Sequence, residues 1–582
     1  MRDSIRNWFH KLVVFLCFSS ALALAASGAE EFLVTKSQPG TPGGKLVVAE
    51  RSEPKTLNPV TALDGPSRDV IRRMTADLIR INRNTQRTEP ALAKSWTTSA
   101  DKRVYTLKLR RGIKFSDGHA FDADDVVFSF QVYLDEKVHS VQRDLLLIGG
   151  KPIGVAKLDE YTIRFDLPKP YAAAERLFDS VAMLPRHLLE TPYKEGKLAS
   201  SWGLDVAPGQ IAGLGPFRFK EYVAGQRIVL EKNPFYWKTD SKGTKLPYLE
   251  QIVYIFVPSE DAQVLRFEAG ETDILNRISA ENFWVLQRDQ QSRGFKLFDL
   301  GPGLEYNFLL FNLNDDTSGR VPEIARHQVW FRDQKFRQAI SAAIDRNAIV
   351  KLVYQGRATP LIAQVTPGNK LWLDQGLSKP ERSLERAKTL LQSAGFRWKS
   401  DGTLIDASGQ SVEFSILASA SNAQRKQMAT LIQADLKQVG IIVQVVPMEF
   451  RAQLDRILQT HDYDAAIMAL GSGDVDPTAE MNVWLSSGGT HLWHLGEKQP
   501  ATSWEAEIDR LMQAQESEMD PRKRKLEYDQ VQQIVASQLP IVCLVSPNIL
   551  VGAKVKLANF QPAILDHYTL WNADELFWQP SR

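Results

Sequence analysis

The sequence predicts an α/β protein built from more than one domain, and three observations carry that reading. The chain runs to 582 residues, too long for one hydrophobic core, so two or three domains are expected. Its composition, 43% hydrophobic and 24% charged residues, is that of an ordinary globular protein. Between Val412 and Leu470, strand-like and helix-like segments alternate in a rhythm that implies a parallel sheet with crossover helices.

The N-terminus differs in kind from the rest of the chain. Arg2, Arg6 and Lys11 precede the apolar run "LVVFLCFSSALALAA", and Ser27-Gly28-Ala29 before Glu30 fits a small-x-small cleavage site. Residues 1–29 therefore read as a secretory signal peptide. Its apolar run of about 15 residues is short of the roughly 20 that span a bilayer, and no later segment is long and apolar enough either. The expectation is an exported, periplasmic, soluble protein. Cys17 lies inside the signal and is followed by Phe18 rather than set in a lipid-attachment box, so no lipid anchor is expected. Cys543 is then the single remaining cysteine, and no internal disulfide can form.

A polar linker leads to a first strand, "KLVVAE". "VYTLKLR" and "YTIRFDL" alternate apolar and polar residues, as half-buried antiparallel strands do. Between them "FDADDVVFSFQVYL" reads as a helix, with Asp122 as its cap and Val127, Phe130 and Leu134 as an inward stripe. "PFRFKEYVAGQRIVLEKN" reads as a hairpin, and "QIVYIFV", apolar on both faces, as a central strand. Ser259 caps a helix that stops at Gly270. Phe336, Ile340 and Ile344 are at helical spacing, and Asp345 caps the next helix, closed by Gly356. Strand "VEFSILAS" comes next, then a helix from Gln424 to Val439, strand "IIVQVV", a helix from about Arg451, and strand "DAAIMAL". The loop "ALGSGD" leaves the carboxyl end of that last strand, where ligands sit in open parallel sheets.

Several chemistries can be weighed at this loop. With 71 basic and 69 acidic residues the formal charge is +2, so no basic face for nucleic acid is indicated. Asp474, Asp476 and His491 could form an acid/base set for a secreted hydrolase, but no serine or cysteine sits in a nucleophile elbow. Asp-Pro after a strand is also a common turn-former. His491 and His494 in "HLWH" are three apart, yet no Cys or acidic residue is spaced to complete a closed metal site, and no metal or cofactor is expected. "GLGPF" and "LSSGGT" lack a phosphate-loop continuation and read as turns. What remains is a binding surface: Ser472, Gly473, Asp474, Trp484, His491 and Trp493 mix flat apolar faces with small polar groups. The two tryptophans are equally open to a core reading.

A family resemblance covers nearly all of the chain after the signal. "GGKLVVAERSEPKTLNPV", "GLGPFRFKEYVAGQRIVLEKNPFYW", "FRDQKFRQAISAAIDRNAIVKLVYQGRATP" and "YDAAIMALGSGDVDP" occur in the family's order. With them stands the specific core Lys-Leu-Arg-x-Gly-x-Lys-Phe-Ser-Asp-Gly from Lys108 to Gly118. These stretches resemble the extracytoplasmic solute-binding proteins of peptide- and nickel-type ABC importers, solute-binding family 5. The resemblance implies a two-lobed type II binding-protein fold with a hinge, non-enzymatic and monomeric. It would deliver a peptide-like or other oligomeric solute to a membrane permease and its ATPase subunits. Lobe one would comprise 44–75, 209–300 and 546–582, with an extra α+β domain, 76–208, inserted into it; lobe two would be 301–545. By position in the family pattern, further pocket candidates are Asp64, Gly65 and Ser67, and Tyr306, Asn307 and Phe308 on "EYNFLLFN". Peptide binders of the family often carry Trp-x-x-Asp-x-x-(Asp/Glu)-Pro, whose first Asp meets the free amino terminus of the peptide. Here Leu470 and Gly473 stand at the Trp and Asp positions. Asp474 is one residue off and would need a different direction to replace the missing carboxylate. A blocked or modified peptide, a peptide held by its backbone, a carbohydrate and a metal chelate all stay open.

Overall fold

The computed structural model describes residues 30–179, 181–314, 322–378 and 381–580. The signal segment expected at 1–29 lies outside them. Among the described residues no helix is long and apolar enough to cross a membrane.

A twelve-stranded mixed sheet runs through the whole molecule. From one edge its order is Phe217–Val223, Arg227–Lys232, Gln251–Phe256, Lys45–Glu50, Ile274–Leu275 and Ile541–Lys554. It continues through Glu305–Phe311, Ala465–Gly471 and Glu413–Ser419 to Ile442–Met448. The expected hairpin is there, Phe217 opposite Lys232. Gln251–Phe256, flanked on both sides by strands, pairs in parallel with Lys45–Glu50. In the second half Glu413–Ser419 pairs in parallel with both Ile442–Met448 and Ala465–Gly471, as the strand–helix alternation predicts.

The fourteen-residue strand Ile541–Lys554 joins the halves. Its first part pairs with Glu305–Phe311 (Leu310 opposite Ile541) and its last part with Phe295–Pro302 (Phe298 opposite Val551). Those two partners are themselves consecutive in the chain, separated by Gly303-Leu304. Two adjacent stretches of backbone therefore cross between the halves. The apolar side chains split the same way. Leu46, Tyr105, Phe130, Ile252 and Leu576 belong to one core, and Phe308, Phe414, Ile467, Trp484 and Val542 to another. Buried apolar surface supplies the main driving force for each.

The first core also takes in a four-stranded antiparallel sheet, ordered Ala93–Thr98, Val104–Leu109, Thr162–Asp166 and Gly154–Asp159. Tyr105, Leu107 and Leu109 point inward and Lys108 outward, as alternation requires. The helix Ala123–Leu134 is capped by Asp122, whose side chain accepts from Asp124 N while Asp125 reaches back to Asp122 N. Its inward stripe differs from the expected one. Val127 and Leu134 are only half-buried, and the buried set is Val126, Phe128, Phe130, Val132 and Tyr133. The reason is that the helix is covered on two sides, by the four-stranded sheet and by helix Arg186–Lys194, so no single stripe suffices. Ser259 and Asp345 cap Glu260–Glu268 and Arg346–Val353 as expected.

Candidate functional site

A cavity of about 530 Å³ opens between the two cores. Three walls and a floor come from distant parts of the chain. Helix Gly65–Met74 contributes Gly65 and Arg72, the four-stranded unit Tyr171 and Arg176, the loop after Ala465–Gly471 contributes Gly473 and Asp474, and the C-terminal segment His567 and Tyr568. Asp64 starts the first wall. Its Oδ1 accepts from Ser67 N at 2.9 Å and its Oδ2 from Ser67 Oγ at 2.7 Å, which fixes the helix N-terminus. Ser67 Oγ in turn accepts from Lys55 N at 2.8 Å, tying the preceding loop to the helix.

Most charges at the cavity are already matched. Arg72 Nη1 meets Asp77 Oδ2 at 2.5 Å, and Arg83 Nη2 meets Asp179 Oδ2 at 3.1 Å. Burial pushes the Asp77 carboxyl up to about 7 in spite of Arg72. His567 Nδ1 lies 2.5 Å from Asp69 Oδ1. Burial pushes that imidazole down to about 4, so at neutral pH the ring is uncharged and donates its Nδ1–H to the ionised Asp69. Arg176 grips Asp474 with Nε and Nη2 together, a two-pronged ion pair that spans the cavity from the four-stranded unit to the second half, while its Nη1 donates to Gln86 O at 3.2 Å. The side chain of Arg68, exposed at the rim, makes no hydrogen bond or ion pair among the described residues. The wall loop is anchored from behind by Asp476, which accepts from Arg524 Nη1 at 2.7 Å and Nη2 at 2.6 Å with both side chains buried.

The whole-chain comparisons match this architecture. The model of the bacterial extracellular solute-binding proteins, family 5 Middle, matches residues 87–491. The chain belongs to family 5 of the bacterial extracellular solute-binding proteins. A probable ABC transporter-binding protein of Deinococcus radiodurans is 29% identical over 563 residues, covering 92% of this chain and 93% of that protein. Two solved structures share the fold. The oligopeptide-binding protein AppA from Bacillus subtilis, in complex with a nonapeptide, is 24% identical with a TM-score of 0.69, covering 93% of this chain and all of that one. NikA from Brucella suis, in complex with Fe(III)-EDTA, is 23% identical with a TM-score of 0.75, covering 92% and all. The protein is thus an extracytoplasmic solute-binding protein with the two-lobed type II fold, and the cavity lies between its lobes.

The residues singled out from the sequence fall into three groups in this family-5 protein. Gly65, Gly473 and Asp474 line the cavity. Asp64, Ser67 and Ser472 stand behind the walls: Ser472 Oγ donates to Asp474 O at 2.5 Å and faces a small void behind the loop. The remaining six lie within the second lobe and do not line the cavity. Tyr306, Asn307 and Phe308 are buried on the strand beside the crossing, and Phe308 packs 5.8 Å from Tyr306. Trp484 and Trp493 are buried 5.5 Å apart, with their indole N–H groups satisfied by Glu480 Oε2 at 2.9 Å and Glu505 Oε1 at 3.1 Å. His491 donates to Val483 O at 3.1 Å. Asp474, Asp476 and His491 each have a different partner, so the hydrolase set does not converge. Arg72, Arg176, His567 and Tyr568 were not foreseen. The aromatic, charged tail "DHYTLW" was the available signal for the last two.

Proposed function

We propose that this protein is the solute-binding component of an ABC importer, that it closes on a short peptide-like solute, and that it passes the solute unchanged to a permease and its ATPase subunits without catalysing a reaction. The cavity volume is within the range of small-ligand sites, roughly 300–1,000 Å³. Its wall mixes tyrosines with paired charges, which suits a solute carrying both polar and apolar groups. We also take 44–75, 209–300 and 546–582 as lobe one, 76–208 as the inserted unit and 301–545 as lobe two; the division of the two cores supports this, with Leu570 and Phe577 in the first and Ile541 to Val545 in the second.

One observation carries the specificity. The loop position that a free amino terminus would need is Gly473, and the neighbouring carboxylate of Asp474 is held by Arg176. Recognition therefore does not depend on a free peptide amine. The test begins with mass spectrometry of the solute released on denaturing natively purified protein, followed by calorimetric titration of a matching short peptide in free and N-acetylated forms. The two forms should bind within about threefold of each other. A β-carbon at Gly473 meets nothing within 4 Å, so Gly473→Asp is sterically free. That variant should favour the free amine by about tenfold or more, the worth of one charge-assisted hydrogen bond. Loss of tenfold or more on acetylation in the wild type would overturn the specificity reading. Recovery of a sugar or a single metal chelate would move the solute class, and turnover of the solute would overturn the non-catalytic reading.

A further inference from the structure

Outside the cavity wall, the second lobe brings together donors that lie apart in the sequence. His491, His494 and Glu497 sit on the loop that precedes helix Ser503–Ser517, and Glu505 is the third residue of that helix. One ligand-type atom from each of His491, Glu497 and Glu505 lies within 4.8 Å of the other two. All three side chains are buried: His491 is 0% exposed, Glu505 2%, and the Glu497 side chain 3%.

The hydrogen bonds around His491 leave a mismatch. Its Nδ1 contacts a carbonyl, Val483 O, which can only accept, so the ring proton belongs on Nδ1. Nε2 then turns a lone pair toward Glu505 Oε1, 3.7 Å away, with no hydrogen-bond partner of its own. Two acceptors facing each other in a buried site repel unless a positive charge lies between them. Both carboxylates are oriented by neighbouring donors, and for Glu505 one of them reaches Oε1, the oxygen that faces His491. Glu505 accepts from Trp493 Nε1 at 3.1 Å and Thr502 Oγ1 at 2.7 Å. Glu497 Oε2 accepts from Ala501 N at 3.3 Å, and its Oε1 lies against His494 Nδ1. Among the described residues no lysine or arginine forms an ion pair with either carboxylate. Arg337, which acts on Glu505 at longer range, donates to the carbonyls of Phe331, Arg332 and Gln538.

We propose that His491 Nε2, Glu497 and Glu505 form a structural site for a divalent transition-metal ion of the zinc class, with His494 positioning Glu497. An imidazole whose other nitrogen donates to a backbone carbonyl is the arrangement that orients a metal-ligating histidine. Nitrogen and oxygen donors at 2.0–2.2 Å around a tetrahedral ion stand about 3.4 Å apart, so the 3.7 Å gap between His491 and Glu505 closes with a shift of a few tenths of an ångström. The ion fastens the 488–502 loop to helix Ser503–Ser517, inside the lobe that carries the Gly473–Asp474 wall; it takes no part in holding the solute.

The test uses the full chain, stripped with EDTA and exchanged into chelator-free buffer. Zn²⁺ or Co²⁺ is then added, and retained metal is measured by elemental analysis after gel filtration. One equivalent of Zn²⁺ per chain should be retained and should raise the melting temperature by several degrees, reversibly on adding EDTA. Co²⁺ in its place should give the visible absorption of a tetrahedral ion. Glu497→Gln and His491→Gln should each abolish retention. If the buried His491→Gln fails to fold, Glu497→Gln, at the edge of the cluster, decides alone. No retention by the wild type at micromolar free Zn²⁺, or one equivalent still held by Glu497→Gln, would overturn the site; the first result would mean that protons supply the positive charge.

Discussion

Glu480 sits behind the cavity-wall loop, buried, and its Oε2 accepts the indole N–H of Trp484 at 2.9 Å. Burial pushes its carboxyl up to about 7, against the smaller opposing effect of that hydrogen bond. The sign of the consequence is the reverse of the usual acidic residue. Between the ordinary value near 4.5 and about 7, the folded protein holds a proton that the unfolded chain has lost. The associated stability is complete below pH 4.5 and disappears as pH rises past 7. It amounts to on the order of 3 kcal/mol at about 1.4 kcal/mol per pH unit. Glu480→Gln keeps the shape and an acceptor for Trp484 but has no proton to lose. Thermal melts of the variant and wild type should coincide near pH 5 and separate by several degrees at pH 8, with the variant the more stable. Glu50 and Asp77 are also raised, to about 8 and about 7, so part of the pH slope persists in both proteins and only the difference is diagnostic. Parallel melting curves across that range would show that Glu480 stays ionised.

The loop Gly471–Asp476 is anchored from behind by a buried ion pair, Asp476 with Arg524, and by Asn369 Nδ2 donating to Val475 O at 2.7 Å; Arg524 is itself placed by Gln515 O at 2.8 Å and by the Trp372 ring at 4.7 Å. Arg524→Leu leaves Asp476 buried and unpaired, which should cost about 3–5 kcal/mol in urea unfolding. The double variant Asp476→Leu with Arg524→Leu should recover much of that loss, because an apolar pair avoids desolvating two charges. Equal destabilisation in single and double variants would show that the loop needs the ionic geometry itself. Legibility divides along the same line between near and distant partners. Asp122, Ser259 and Asp345 were readable as caps because a cap bonds an amide two or three residues on. Gly473 and Asp474 were readable as wall residues because they leave the carboxyl end of a strand in a parallel sheet. Arg176 was not, since 298 residues separate it from Asp474 and no local pattern links them. Composition leaves Trp484 equally open to a pocket-wall and a core reading. Yet Glu480, four residues before it, is the partner that lets a buried indole satisfy its N–H, and this i, i+4 spacing was in the sequence.

At the scale of the molecule, the two lobes are joined covalently on one side of the cavity by two adjacent crossing strands and held on the other by polar contacts. Arg176 grips Asp474, Lys169 Nζ meets Glu516 Oε2 at 2.7 Å, Ala172 N donates to Glu516 O at 2.8 Å, and Gln86 Nε2 donates to Gly368 O at 2.9 Å. Such a clasp stabilises the closed form in proportion to what it loses on opening. Arg176→Met keeps the length of the side chain and removes the charge. Small-angle scattering of the solute-free variant should give a larger radius of gyration than the wild type. Because only the closed form completes the site, apparent affinity for the solute recovered from the native protein should fall by the fraction of closed protein lost. For a coupling of about 1–3 kcal/mol that is roughly 5- to 150-fold. Adding Asp474→Asn should restore part of the loss, since the unpaired carboxylate is then no longer desolvated on closure. The opposite result has its own meaning. If Arg176→Met stays compact and binds solute more tightly, Asp474 is the solute's own contact and Arg176 its intramolecular competitor. The missing carboxylate at Gly473 would then have moved one residue along the loop.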